Sequence, residues 1–151
     1  MKARGTAPKT TLRWRALRDG AALYGAVALG SLIGGVLRAL ASLGAIALLG
    51  DGFPWGTMAV NVIGSLAIGF YATLTGPDGR VFASARQRQF VMTGLCGGFT
   101  TFSVFSLETL RLLQAGDMAM AGLNAGLSVI LWLAAVWLGH LAALRLNRLG
   151  G

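Results

Sequence analysis

Four long apolar runs, at about residues 21–50, 55–75, 89–113 and 118–144, leave this chain little choice of fold. A hydrocarbon core about 30 Å thick is crossed by about 20 helical residues at about 1.5 Å each, and every run meets or approaches that length. Inside lipid the backbone must satisfy its own polar groups, which a helix does within one segment. Composition agrees: 55% of residues are hydrophobic and 12% charged, about half the charged share of a soluble domain, with mean hydropathy +0.68. The expectation is an all-α integral membrane protein. Residues 21–148 form one four-helix transmembrane domain, with links too short for an extramembrane module. Residues 1–20, polar and basic, are expected to be a disordered or interfacial arm.

Thirteen Lys and Arg face five Asp and Glu, a formal net charge of +8. Eleven of the thirteen fall in the arm, the 76–88 link and the carboxyl tail, all on one side; only Arg38 and Arg111 fall on the other. Basic residues stay cytoplasmic, so both termini are expected inside. Nucleic acid is not the expected partner, because these charges flank hydrophobic spans instead of forming a folded basic surface. The first run is too long for the apolar core of a removable signal peptide. Cys96, the single cysteine, can form no internal disulfide and is expected to pack as a small hydrophobe.

The third run is unlike the others. Residues 94–108 read G-L-C-G-G-F-T-T-F-S-V-F-S-L-E, with a glycine pair at Gly97 and Gly98, four hydroxyls and two phenylalanines, Phe102 and Phe105. This mixture predicts a spanning helix interrupted near its middle, its opened backbone facing a partner or a pathway. If it opens at the glycines, carbonyls near Gly97 and Thr100 become hard ligands for a small cation; a simple kink is the other reading. Aromatic ring edges are positive, so the two phenylalanines either line an anion path without a trapping charge or pack in the core.

Polar residues within the remaining spans are functional hypotheses by default. Thr57, Asn61 and Ser65 follow at i, i+4 steps along one helix face. The Asn61 amide either donates to an anion or pins a neighbouring carbonyl, while the two hydroxyls can also bond the preceding turn. Arg38 is either a vestibule cation or a snorkelling interface residue. Glu108 either pairs with Arg111 three residues on or sits at a pore mouth. Gly30, Gly34 and Gly35 have the spacing of close helix packing, and His140 is expected to pack. Conventional catalysis has no support: there is no nucleophile beside a base at motif spacing, no phosphate-binding glycine loop and no metal cluster. All five acids lie at or near span ends, which leaves no carboxylate relay through the membrane centre.

Three motifs resemble the Fluc/CrcB fluoride channels over nearly all of the four spans: G-S-L-I-G-G-V-L-R at residues 30–38, G-T-M-A-V-N-V-I-G-S at 56–65 and G-G-F-T-T-F-S-V-F-S-L-E at 97–108. The resemblance implies a passive channel in the bacterial inner membrane that exports fluoride, built as an antiparallel dimer with two pores and a central sodium ion. It implies that Phe102, Phe105 and Asn61 line the pore with Thr57, Ser103 and Ser128, that Arg38 is the family's arginine, and that Gly97 and Thr100 give sodium their carbonyls.

Val104 stands where the family usually has Thr or Ser, Ala39 where Tyr is common, and Asn124 where a Tyr usually precedes the serine by one turn. An antiparallel homodimer also sits awkwardly with the one-sided charge, which keeps a heterodimer with an oppositely oriented paralogue open. Two other readings remain: a small multidrug-type proton-coupled exporter, for which residues 21–50 lack the required carboxylate, and a non-transporting membrane scaffold subunit.

Overall fold

In the computed structural model, which describes residues 9–148, four stretches are long and apolar enough to cross a membrane: Leu17–Leu49, Trp55–Leu74, Ala85–Gln114 and Met118–Arg148. Helix α1 is Lys9–Leu49 and α2 is Trp55–Leu74. The third stretch comprises α3 (Ala85–Arg88), a π-helical segment (Gln89–Cys96), α4 (Gly97–Phe99) and α5 (Phe102–Gln114); α6 is Met118–Arg148. Most of the segment expected as an arm is therefore helix, since α1 begins at Lys9; residues 1–8 lie outside the described part. Arg, Leu and Ala in that segment are good helix formers and prolong α1 beyond the apolar run.

The short links have local causes. Gly50 and Gly116 adopt φ of 78° and 81°, a left-handed conformation that lets α1 and α5 stop sharply. Asp117 then starts α6, its Oδ1 accepting from the Met120 amide at 3.0 Å. At α3 a capping box forms: Ser84 Oγ accepts from the Gln87 amide at 3.3 Å, and Gln87 Oε1 accepts from the Ser84 amide at 2.9 Å. Ser84→Ala removes one half of that box and should lower stability by about 1 kcal/mol. Thermal melting in detergent reads this out, and an unchanged midpoint would show that the box does not hold the third span's start.

Between lipid-embedded helices there is little hydrophobic drive, so close backbone approach decides the packing. Helix α1 crosses the third span through two facing glycine pairs, Gly30 with Gly34 and Gly94 with Gly98. A Cβ on Gly34 would lie 2.8 Å from the Phe99 nitrogen, and one on Gly98 would lie 2.6 Å from the Ser31 oxygen. Helices α2 and α6 meet in the same manner at Gly69 and Gly139, where a Cβ on Gly139 would lie 2.9 Å from the Phe70 nitrogen. The interior is accordingly small: Val60, Cys96, Ala121, Ala135 and Ala143 are buried, while Leu29, Leu32, Val36 and Leu40 on α1 face outward.

Candidate functional site

Between α4 and α5 the backbone leaves helical geometry for two residues. Thr100 has φ −85° and ψ 161°, and Thr101 has φ −152° and ψ 126°. Such extended backbone at membrane depth needs other partners for its polar groups. Asn61 supplies them from α2: its Nδ2 donates to the Thr101 carbonyl at 2.9 Å, and its Oδ1 accepts from the Thr101 amide at 2.7 Å. Thr101 in turn caps α5, its hydroxyl accepting from the Val104 amide at 3.2 Å. Of the two roles expected for Asn61, the carbonyl-pinning one is the geometry seen. The second Nδ2 hydrogen is left over, and Asn61 lines the cavity beside the opened backbone.

The opening begins at Thr100, two residues beyond Gly98. Gly97 keeps helical angles, φ −64° and ψ −35°, and Gly98 is used for contact with α1. Two carbonyls nevertheless lose their helical donors. In a continuous helix Gly97 would accept from the Thr101 amide and Thr100 from the Val104 amide; both donors are turned elsewhere, to Asn61 Oδ1 and Thr101 Oγ1. Gly97 and Thr100 both line a cavity of about 280 Å³, shared with Asn61, Ser65, Phe102 and Trp132. Among the described residues no group of three His, Cys, Asp or Glu side chains converges on a metal position. A cation at this cavity would therefore meet hard, neutral oxygens, a donor set that suits a weakly held alkali ion.

Phe102 and Phe105 lie one turn apart with ring centroids 5.5 Å from each other and planes at 50°. Phe105 is 8% exposed and takes Trp132 edge-on at 4.9 Å and 74°, whereas Phe102 is 71% exposed on this single chain. Ser103 is exposed, its hydroxyl 3.3 Å from that of Thr101. Thr57 is buried and donates to Glu108 Oε1 at 2.9 Å, so Glu108 faces α2; it lines one cavity with Arg111. Its Oε2 is buried without a partner, as is Trp132 Nε1. Groups of that kind cost about 1–3 kcal/mol unless water or an ion completes them.

Ser128 is buried on α6 and donates to Asn124 Oδ1 at 3.5 Å. Asn124 Nδ2 donates to Thr109 Oγ1 at 2.8 Å, and Thr109 donates to the Phe105 carbonyl at 2.8 Å. One polar chain thus joins α6 to the backbone of Phe105, and Asn124 forms its middle link. Arg38 is half-buried on α1 and does not line the cavity at Thr100. Sequence reasoning gave no role to Thr101, although a Thr ahead of an apolar helix is the mark of an N-cap. Trp132 was also missed; its position in mid-span, away from the interfacial belt where Trp concentrates, is the clue.

A model of the family described as CrcB-like protein, Camphor Resistance (CrcB), matches residues 25–140, which takes in this whole arrangement. The chain belongs to the CrcB-like family. Relatives are similar over most of their length. "Fluoride-specific ion channel FluC 1" of Rhodopseudomonas palustris (strain BisB18) is 62% identical over 135 residues, covering 89% of this chain and 96% of the relative. "Fluoride-specific ion channel FluC" of Opitutus terrae is 56% identical over 130 residues, 85% of this chain and 98% of the relative. "Fluoride-specific ion channel FluC" of Paramagnetospirillum magneticum is 57% identical over 125 residues, covering 83% and 98%. As a CrcB-like protein the chain keeps Asn61, Asn124 and Ser128 on helix faces that meet other helices, each at most 4% exposed.

Proposed function

We propose that this protein is a passive, fluoride-selective channel of the bacterial inner membrane that lets fluoride leave the cytoplasm. The relatives' names support fluoride as the ion. The observation that carries the reading is the two-residue extended segment clamped by Asn61, with two phenylalanines immediately after it. Fluoride is small and strongly hydrated, so a route through lipid must replace its water with donors while the walls stay dry. Ring edges of Phe102 and Phe105, the spare Asn61 N–H and the hydroxyls of Thr57, Ser103 and Ser128 are donors of that kind, none with a fixed charge that would hold the ion. Arg38 attracts anions toward the mouth without entering the file.

The functional unit is an antiparallel homodimer whose third spans are broken at their middle, with two pores. The exposure of Phe102 and Gly97 on one chain supports a covering partner. Sodium at the dimer centre is held by the released carbonyls of Gly97 and Thr100 and ties the two broken spans together. The one-sided distribution of Lys and Arg favours a second arrangement, a heterodimer with a reversed paralogue. Labelling of cysteines placed at both termini separates the two: label from both faces supports the homodimer, and uniformly cytoplasmic termini support the paralogue.

Liposomes loaded with potassium fluoride and potassium chloride, with valinomycin added so that potassium carries the compensating charge, test the proposal. The protein should release fluoride, read with an ion electrode, and retain chloride. Phe105→Ile removes the ring edge at the buried end of the pair and should slow fluoride release by about tenfold or more, the loss of about 1.4 kcal/mol of ion stabilisation. Chloride release at the fluoride rate, or a Phe105→Ile rate equal to wild type, contradicts the reading. A dead protein with intact dimer favours the scaffold alternative.

A further inference from the structure

A second concavity, about 550 Å³, lies between the first turns of α1's apolar run, the start of the third span and the link before α3. It shares no lining residue with the cavity at Thr100. Ala22, Gly25 and Ala26 on α1 leave the space, and a Cβ built on Gly25 meets nothing within 4 Å. Phe90 of the third span and Phe82 of the link add to the apolar lining. Phe82 is 96% exposed and Val81 44%, in a link that also carries Asp78 and Arg80; apolar side chains so displayed are stable where lipid meets them.

One end of this groove is charged. Arg86 and Ala22 line it and also line an adjoining cavity of about 530 Å³, whose other walls are Arg18, Asp19 and Ala21. An apolar slot thus opens onto two guanidinium groups and one carboxylate, a local formal charge of one positive unit. Among the described residues Arg80, whose amide bonds Asn147, lies in the same link, and α6 ends in Arg145 and Arg148 beside it. Basic pockets beside spanning helices at the cytoplasmic face are suited to anionic lipid headgroups, and guanidinium matches a phosphodiester in shape as well as charge.

We infer that this groove binds one anionic phospholipid of the bilayer, an acyl chain lying against Ala22, Ala26 and Phe90 and the phosphate between Arg18 and Arg86. Asp19 limits the headgroup to a single negative charge, which fits the phosphatidylglycerol class. The site is independent of the ion the protein conducts.

Native mass spectrometry of the full-length protein, offered equal amounts of phosphatidylglycerol and phosphatidylcholine, tests it. The wild type should retain phosphatidylglycerol about tenfold more than phosphatidylcholine. Arg18→Gln with Arg86→Gln should abolish that preference, and Gly25→Leu, which fills the slot where a side chain has room, should remove the bound lipid altogether. Equal retention of the two lipids by the wild type overturns the inference without recourse to any variant. So does a lipid adduct that survives Gly25→Leu, or a dimer that dissociates on Gly25→Leu, since the groove would then be covered by a second copy.

Discussion

Asn61→Ala is expected to lower fluoride flux on the order of a hundredfold while the four spans remain folded. The substitution takes both partners from Thr101 at once, leaving its amide and its carbonyl buried and unpaired. Each orphaned group costs about 1–3 kcal/mol, and the backbone has a cheaper alternative: the Thr101 amide can return to the Gly97 carbonyl and close the helix. The extended geometry then loses about 2–4 kcal/mol against the closed one, and the conducting fraction falls in proportion. Initial fluoride efflux at equal protein per liposome measures this, with size-exclusion chromatography to show that the assembly survives. A rate within about threefold of wild type would mean that the clamp does not hold the conducting state.

Gly34→Leu should have the largest effect on stability. A Cβ there would already meet the Leu95 carbonyl and lie 2.8 Å from the Phe99 nitrogen, and these are backbone atoms that cannot swing aside. Restoring contact distances means moving α1 off the third span, the crossing that positions Thr100. Overpacking of this kind costs about 3 kcal/mol or more, a large share of a marginal stability. Gly35→Leu, one residue on, is the control: nothing lies within 4 Å of its Cβ direction, and the better helix former should be neutral or mildly stabilising. The monodisperse fraction after detergent extraction distinguishes them, and equal yields from both variants would refute the packing assignment.

The contrast between Gly34 and Gly35 also shows how far the sequence could be read. Small residues at four-residue spacing announced close packing, but which of the three α1 glycines carried it depended on the direction of each Cα–Cβ bond in the fold. The four spans were legible because bilayer thickness fixes their length. The start of α1 was not, because Arg13, Arg15 and Arg18 are polar yet compatible with helix, and hydropathy alone places the boundary too late. The interruption of the third span was sought at Gly97 and Gly98 on the ground of glycine's freedom. It lies at Thr100 and Thr101 because the amide that stabilises it comes from Asn61, 40 positions earlier in the chain. Glu108 teaches the same lesson: the local i, i+3 rule names Arg111 as a neighbour but cannot show the hydroxyl 51 residues away that also bonds it. Residue types and helix faces were visible in the sequence; the long-range partners that decide their roles were not.

Valinomycin added to potassium fluoride-loaded liposomes in potassium-free, sodium-containing medium at uniform neutral pH is the most direct test of an uncoupled fluoride route. Prompt fluoride release that begins only when potassium can carry the compensating charge is the predicted result. Release that instead requires a proton gradient, or that proceeds equally well without the ionophore, would contradict it.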